Sequence, residues 1–199
     1  MSKEKIGIFG GTFSPPHVGH VASAEAFSRA VDFDKILIIP DFLPPHKEID
    51  GEASAEQRLK MCNLAFSHIK SSVISDMEIK RGGRSYTYQT LQELSSVDRE
   101  LYFLMGPDMF LTLLEWKNPQ RIFELATICL VRRETDSGEL IKAKVIEYQS
   151  NYGANILIID TDIIEVSSSE IRETLHRGCD SENVPRQVMD YIKEAGIYR

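Results

Sequence analysis

Cysteine, tryptophan and long apolar runs are scarce in this sequence of 199 residues. Its three cysteines are scattered, odd in number and form no Cys-x-x-Cys pair, which argues against a disulfide framework and against a zinc knuckle. No apolar run approaches the length of a membrane-spanning helix, and the amino terminus leads directly into charged residues and a strand. We therefore expect a cytoplasmic protein that does not associate with membranes.

Positive charge is also in short supply. The sequence has 23 Lys and Arg against 30 Asp and Glu, a net charge of −7, which argues against broad nucleic-acid binding. An anionic ligand would have to be met by local donors. The length fits one domain over residues 1–199, with a small helical part at about 167–199, and we find no repeat or linker.

Neither the P-loop motif nor the Gly-x-Gly-x-x-Gly fingerprint occurs, but a different glycine-rich stretch follows the first apolar run. Ile6 to Phe9 predict a buried strand that stops at Gly10-Gly11, and a helix follows Pro15-Pro16. Glycine lets backbone N–H groups approach phosphate, and a helix begins with a partial positive charge. His17 and His20, three residues apart in the first helical turn, could then reach the same anion. The alternatives are a plain tight turn and a metal-binding histidine pair, for which no third ligand is evident.

Apolar runs recur along the chain and alternate with helical patterns. This alternation predicts an α/β fold with a Rossmann-like, doubly wound parallel sheet. Open sheets of this kind bind ligands at the carboxyl ends of their strands. The predicted strands lie at residues 35–40, near 73–74, and at 100–105, 126–131 and 156–159.

Groups suited to phosphate and ribose follow several of these strands. Asp108 comes soon after one strand end and could accept hydrogen bonds from ribose or simply cap a helix. Ser167 and Glu170 form a capping-box pattern, so the helix start with Arg172 predicts a second anion site, or else an ordinary well-capped helix. We find no nucleophile paired with a base, which favours a transfer reaction in which a substrate phosphate is already the nucleophile.

The stretch from Gly10 to His20 resembles the signature of nucleotidyltransferases that carry a His-x-Gly-His motif in a Rossmann-like fold. Further segments narrow this resemblance, and nearly the whole chain is similar to the bacterial nicotinate-nucleotide adenylyltransferases. These segments are 44–47, Arg58, 85–87, 105–108, Trp116, 132–133, 167–172 and 191–198.

The resemblance implies an enzyme of NAD biosynthesis that joins the adenylyl group of MgATP to nicotinate mononucleotide and releases pyrophosphate and deamido-NAD. Mg²⁺ would arrive with ATP, no resident metal is implied, and a homo-oligomer is compatible with the family. The implied catalytic residues are His17, His20 and Arg172. The implied ATP-binding residues are Gly10, Gly11, Thr12, Phe13, His20, Gly106, Asp108, Ser168, Ser169 and Arg172. The implied residues for nicotinate mononucleotide are Lys47, Tyr86, Thr87, Trp116 and Arg133.

Two positions depart from the family pattern. Ser14 stands where aspartate is frequent, and Lys117 follows Trp116 where an aromatic residue is common. A cation at Lys117 could favour the nicotinate carboxylate over an amide. Three alternatives stay open: an adenylyltransferase for the amide mononucleotide, a sister transferase with a phosphopantetheine or cytidylyl acceptor, and a non-catalytic nucleotide-binding sensor.

Overall fold

Six parallel strands form one sheet in the order β3-β2-β1-β4-β5-β6. The structure is a computed structural model that describes residues 2–45, 53–132, 138–161 and 166–199. This strand order is that of the doubly wound nucleotide-binding folds, so the predicted fold class is confirmed. The strands are β1 (Glu4–Gly11), β2 (Lys35–Pro40), β3 (Ser72–Ile74), β4 (Arg99–Met105), β5 (Ala126–Arg132) and β6 (Ile156–Asp160).

Helices connect these strands in the right places for a parallel sheet. The described α-helices are α1 (Val18–Ala30), α2 (Ala55–Phe66), α3 (Met77–Arg81), α4 (Thr87–Leu94), α5 (Pro107–Leu111), α6 (Pro119–Leu125), α7 (Gly138–Tyr152), α8 (Ser168–His176) and α9 (Arg186–Ala195). A short 3₁₀ helix spans Leu113–Glu115. None of the described helices is long and apolar enough to cross a bilayer.

Alternation along the strands builds two hydrophobic cores, one on each face of the sheet. In β2, Ile36 and Ile38 join one core, whereas Leu37 and Ile39 join the other. Successive side chains of a strand point to opposite faces, so a continuous apolar run is buried on both. This explains why the strands read as unbroken apolar segments in the sequence.

The first strand extends further than the sequence suggested. Gly10 and Gly11 pair with Ile39 and Pro40 of β2, so the glycine pair is strand and not a tight turn. The chain turns instead at Phe13, whose φ of 49° lies in the left-handed region. A Cβ on Gly11 would stand 3.0 Å from the Phe13 ring, so a larger residue there would require this ring to shift.

The C-terminal helical part packs on the same core as the first loop. Val188, Ile192 and Tyr198 are buried in the cluster that contains Phe13. The backbone N–H of Val18, at the start of α1, donates to the Asn183 carbonyl at 2.9 Å. These contacts hold the chain terminus against the loop after β1, while the organisation of residues 1–199 as a single domain stays a prediction.

Candidate active site

Two histidines cap the start of α1, because the side chain of each accepts the backbone N–H of the other. Nδ1 of His17 accepts the backbone N–H of His20, and Nδ1 of His20 accepts the backbone N–H of His17, both at 3.3 Å. The two rings stack with 3.6 Å between their centroids. His17 has an extended backbone and precedes α1, so its predicted place within the first turn is wrong; it is the N-cap. The structure nevertheless brings the two imidazoles together.

This arrangement fixes which nitrogen carries the proton. Because each Nδ1 accepts an N–H, each neutral ring must hold its proton on Nε2. His17 is only 7% exposed, and its burial lowers the pKa of the imidazole from 6.5 to about 4. His17 is therefore neutral at pH 7, and the pair presents two Nε2–H donors where β1 gives way to α1.

The loop between β1 and α1 is held by the C-terminal helices. Arg172 donates from Nη1 to the Ser14 carbonyl at 3.0 Å, and the Ser168 hydroxyl donates to the Pro15 carbonyl at 3.1 Å. The hydroxyls of Ser14 and Tyr198 hydrogen-bond at 2.8 Å in a buried position. Residues predicted to contact an anion thus also position the histidine loop, a role that the sequence did not reveal.

The start of α8 is capped by Ser167, the first residue of the predicted capping box. The Ser167 hydroxyl accepts the backbone N–H groups of Ser169 and Glu170 at 3.1 and 3.4 Å. Arg172 lies one turn further on, and its Nη2 is 3.4 Å from the Ser169 hydroxyl. This helix start therefore lies beside the histidine loop, where its dipole and the Arg172 charge favour an anion.

A buried ion pair that sequence reasoning missed fixes the end of β1. Arg58 is 1% exposed and donates from Nη1 to Oδ1 of Asp41 at 3.0 Å and to the Thr12 carbonyl at 2.8 Å. Its Nη2 donates to the backbone carbonyls of Asp41 and Phe42 at 2.7 and 3.3 Å. The Thr12 hydroxyl completes the cluster by donating to Oδ2 of Asp41 at 2.8 Å. The available signal was the position of Arg58 on the apolar face of α2.

The end of β4 lies next to the end of β1. These two strands pair with each other, and Ile8 faces Phe103 three residues before Gly11 and Gly106 respectively. Gly106 is the N-cap of α5, so the alternative in which Asp108 caps this helix is wrong. Gly106 and Asp108 are both exposed, and no atom lies within 4 Å of a Cβ built on Gly106. A ligand could therefore approach the backbone closely at this point.

Of the residues predicted to bind the mononucleotide, the structure describes Tyr86, Thr87 and Trp116. Tyr86 and Thr87 begin α4, where Tyr86 is the N-cap without a side-chain capping bond and its ring lies 6.1 Å from that of Tyr88. Trp116 follows the 3₁₀ helix, is half-buried, and meets Phe103 edge to face at 6.3 Å between centroids. It thus packs on the second core while part of its side chain stays exposed. Lys47 and Arg133 lie outside the described residues.

The described donors suit an anion better than a bare cation. Within the ranges that the structure describes, no group of three or more His, Cys, Asp or Glu could hold a metal ion. The histidine pair presents N–H donors, and Arg172 adds a positive charge. A metal ion at this edge would fit as part of a phosphate-bearing substrate, with its phosphates facing these donors.

Comparison with known proteins defines the class to which this site belongs. A model of the cytidylyltransferase-like family matches residues 8–174, and the chain belongs to this family. Among curated proteins, it is similar to the probable nicotinate-nucleotide adenylyltransferases of Oceanobacillus iheyensis and Listeria monocytogenes. The Oceanobacillus protein is 39% identical over 98% of this chain and 96% of its own length. The Listeria protein is 35% identical over 98% of each chain.

A solved structure shares the fold. The Plasmodium falciparum nicotinic acid mononucleotide adenylyltransferase complexed with NaAD superposes with a TM-score of 0.76 over 98% of this chain and 97% of its own. Its sequence identity is 18%, so this likeness bears on the fold alone. The curated relatives confirm the resemblance that the sequence motifs suggested.

Proposed function

We propose that this protein transfers the adenylyl group of MgATP to nicotinate mononucleotide, forming deamido-NAD and pyrophosphate in NAD biosynthesis. The observation that carries this proposal is the stacked histidine pair, whose two rings keep their protons on Nε2 where β1 gives way to α1, at the ligand edge of the sheet. The names of the curated relatives support the reaction and its acceptor.

In this reaction a phosphate oxygen of the mononucleotide attacks the α-phosphorus of ATP in line with the departing pyrophosphate. The protein has little covalent chemistry to do, because it must align two phosphates and neutralise the charge that develops between them. His17 and His20 do this by donating from Nε2 to phosphate oxygens. Mg²⁺, carried on the ATP phosphates, supplies further charge neutralisation when it is bound.

The ATP site extends from β1 to the neighbouring strand and to α8. The backbone of Gly10, Gly11, Thr12 and Phe13 faces the phosphates, and Arg58 keeps this segment in place through the Thr12 carbonyl. Asp108 accepts hydrogen bonds from the ribose hydroxyls beside the open backbone of Gly106. Ser168, Ser169 and Arg172 supply donors from the start of α8 to the same polyphosphate.

The mononucleotide binds at the start of α4, beside the loop after β2, and at Trp116. Tyr86 and Thr87 offer hydroxyls and the N–H groups of the first turn of α4, which suit the acceptor phosphate. Trp116 stacks on the pyridine ring, and Lys47 and Arg133 belong to the same set. The amide ligand would fit this arrangement in shape, so the preference between carboxylate and amide depends on the charge near the ring.

Pyrophosphate release tests the proposal directly. The protein is supplied with MgATP and either nicotinate mononucleotide or nicotinamide mononucleotide, and kcat/KM is compared for the two acceptors, with His20→Ala as the control for contaminating activity. We expect release that depends on the acceptor and strongly favours the acid. Preference for the amide would overturn the acceptor assignment. ATP binding without pyrophosphate release with either compound would identify a nucleotide sensor and refute the proposed reaction.

A further inference from the structure

A buried carboxylate lies outside the set of residues considered so far. Glu78, on the short helix α3, is 7% exposed and has several polar partners. Its Oε1 accepts a short hydrogen bond from the Thr90 hydroxyl, and the nearby Ser85 hydroxyl favours the charged form of this carboxylate. Nη2 of Arg81 lies 3.5 Å away and donates to the Thr90 hydroxyl at 2.9 Å.

These partners bracket the start of α4. Ser85 immediately precedes the candidate acceptor residues Tyr86 and Thr87, and Thr90 follows them by one turn. Tyr86 has no side-chain capping bond of its own. One carboxylate therefore binds Thr90 on one side of the segment that would meet the mononucleotide and lies near Ser85 on the other.

Ser85 also links the start of α4 to the loop after β2. The Ser85 hydroxyl accepts the backbone N–H of Phe42 at 3.0 Å, and the Ser85 N–H donates to the Leu43 carbonyl at 2.9 Å. Arg58 binds the Phe42 carbonyl from the other side. Because the Ser85 and Thr90 oxygens each already accept a hydrogen bond, the proton of each hydroxyl is available to Glu78, and Thr90 donates to it.

A contribution to folding stability does not explain why a carboxylate is buried at position 78. Burial raises the pKa of Glu78, with the Thr90 and Ser85 hydrogen bonds and the Arg81 charge acting against that rise and Asp41 adding to it. A buried ionic group is often no more stabilising than apolar side chains of the same volume. A group kept under such a penalty suits a positioning role, because it fixes the orientation of the Thr90 hydroxyl.

We propose that Glu78 is a positioning residue for acceptor binding: it orients the Tyr86–Thr87 segment and so sets the affinity for the pyridine mononucleotide without contacting it. This inference rests on the proposed function. It concerns the acceptor side of the site and not the polyphosphate side, so its effects on the two substrates differ.

The test compares Glu78→Gln with Glu93→Gln. The amide introduced by Glu78→Gln offers one acceptor oxygen where the carboxylate offers two, whereas Glu93 is an exposed carboxylate on the same arginine, bonded to Nη1 of Arg81 at 2.9 Å. For Glu78→Gln we expect the KM for nicotinate mononucleotide to rise about tenfold while the KM for ATP changes less than about twofold. Glu93→Gln should match the wild type. Equal rises in both KM values, or no change in either, would overturn the inference.

A second variant and a binding readout keep the outcome clear. Thr90→Val keeps the side-chain shape and removes the hydroxyl that binds Glu78. It should show the same rise in KM for the mononucleotide, and it replaces Glu78→Gln if that variant folds poorly. Quenching of Trp116, the single tryptophan of the chain, reports the Kd for nicotinate mononucleotide without turnover. Binding to the wild type without pyrophosphate release would refute the proposed reaction yet leave the Kd comparison decisive for Glu78. A Kd that is equal in wild type and Glu78→Gln would overturn the inference alone, and no binding to the wild type would overturn both.

Discussion

The burial of His17 makes the stability of this protein depend on pH in a defined way. Burial lowers the pKa of His17 from 6.5 to about 4, whereas the imidazole regains its ordinary pKa in the unfolded chain. A depressed pKa in the folded state contributes stability that is present above pH 6.5 and lost as the pH falls toward 4. The full shift corresponds to about 3 kcal/mol, of which about 2 kcal/mol is lost by about pH 5.

His17→Asn isolates this contribution. Asparagine is a favoured N-cap residue that does not titrate, so the variant keeps a cap at the start of α1 and removes the pH-dependent group. Urea unfolding at about pH 7.5 and about pH 5 gives the free energy of unfolding of both proteins. We expect the wild type to lose about 2 kcal/mol more than the variant between these pH values.

Parallel pH dependence in the two proteins would refute the reasoning. It would mean that His17 titrates alike in the folded and unfolded states, which is incompatible with a buried neutral ring whose Nδ1 accepts the His20 N–H. A larger loss in the variant would refute it as well. The assay needs no substrate, so its result is independent of the proposed reaction.

Three further predictions concern the reaction itself. His20→Ala should lower kcat for pyrophosphate release by about a hundredfold with little change in urea unfolding, because it removes a preorganised donor to the transition state; near wild-type turnover would exclude that role. Arg172→Ala should mainly raise the KM for ATP, because it removes a positive charge from the proposed polyphosphate site and the hydrogen bond to the Ser14 carbonyl. Arg177→Ala, at an exposed arginine of the same region, is its matched control. Lys117→Ala should reduce the preference in kcat/KM for the acid over the amide mononucleotide, and an unchanged ratio would remove Lys117 from the specificity argument.

The strands could be predicted because their cause is local. A strand segment buried on both faces is a nearly continuous apolar run, and residues 36–40 of β2, 101–105 of β4 and 126–131 of β5 show this in the sequence. The end of β1 could not be placed in this way, because Gly10 and Gly11 carry no apolar side chain and are held in the strand by pairing with β2. The turn at Phe13 is also set by tertiary packing, against Phe9 at 5.2 Å and Phe66 at 5.4 Å between ring centroids.

The candidate site divides in the same way. The spacing of His17 and His20 is a local property, so their proximity followed from the sequence, but their mutual capping did not, because histidine is not among the preferred capping residues. Arg58 and Asp41 meet across two different elements, 17 residues apart in the chain. Glu78 looks like an ordinary surface residue of a short helix until the fold brings Ser85 and Thr90 to it. Contacts of this kind depend on the assembled fold, which composition and periodicity do not specify.

Ser14 shows why the departure from the family pattern matters at this position. Its hydroxyl bonds to Tyr198 and its carbonyl accepts from Arg172, so both ends of this loop residue are tied to the C-terminal part of the chain. An aspartate could accept the same bond from the Tyr198 hydroxyl, and the geometry of the loop does not require serine. What differs is charge, because a buried carboxylate here would place a negative group one residue from Phe13, in the segment that faces the ATP phosphates in the proposed site. Serine keeps the link to Tyr198 without adding a negative charge to this segment.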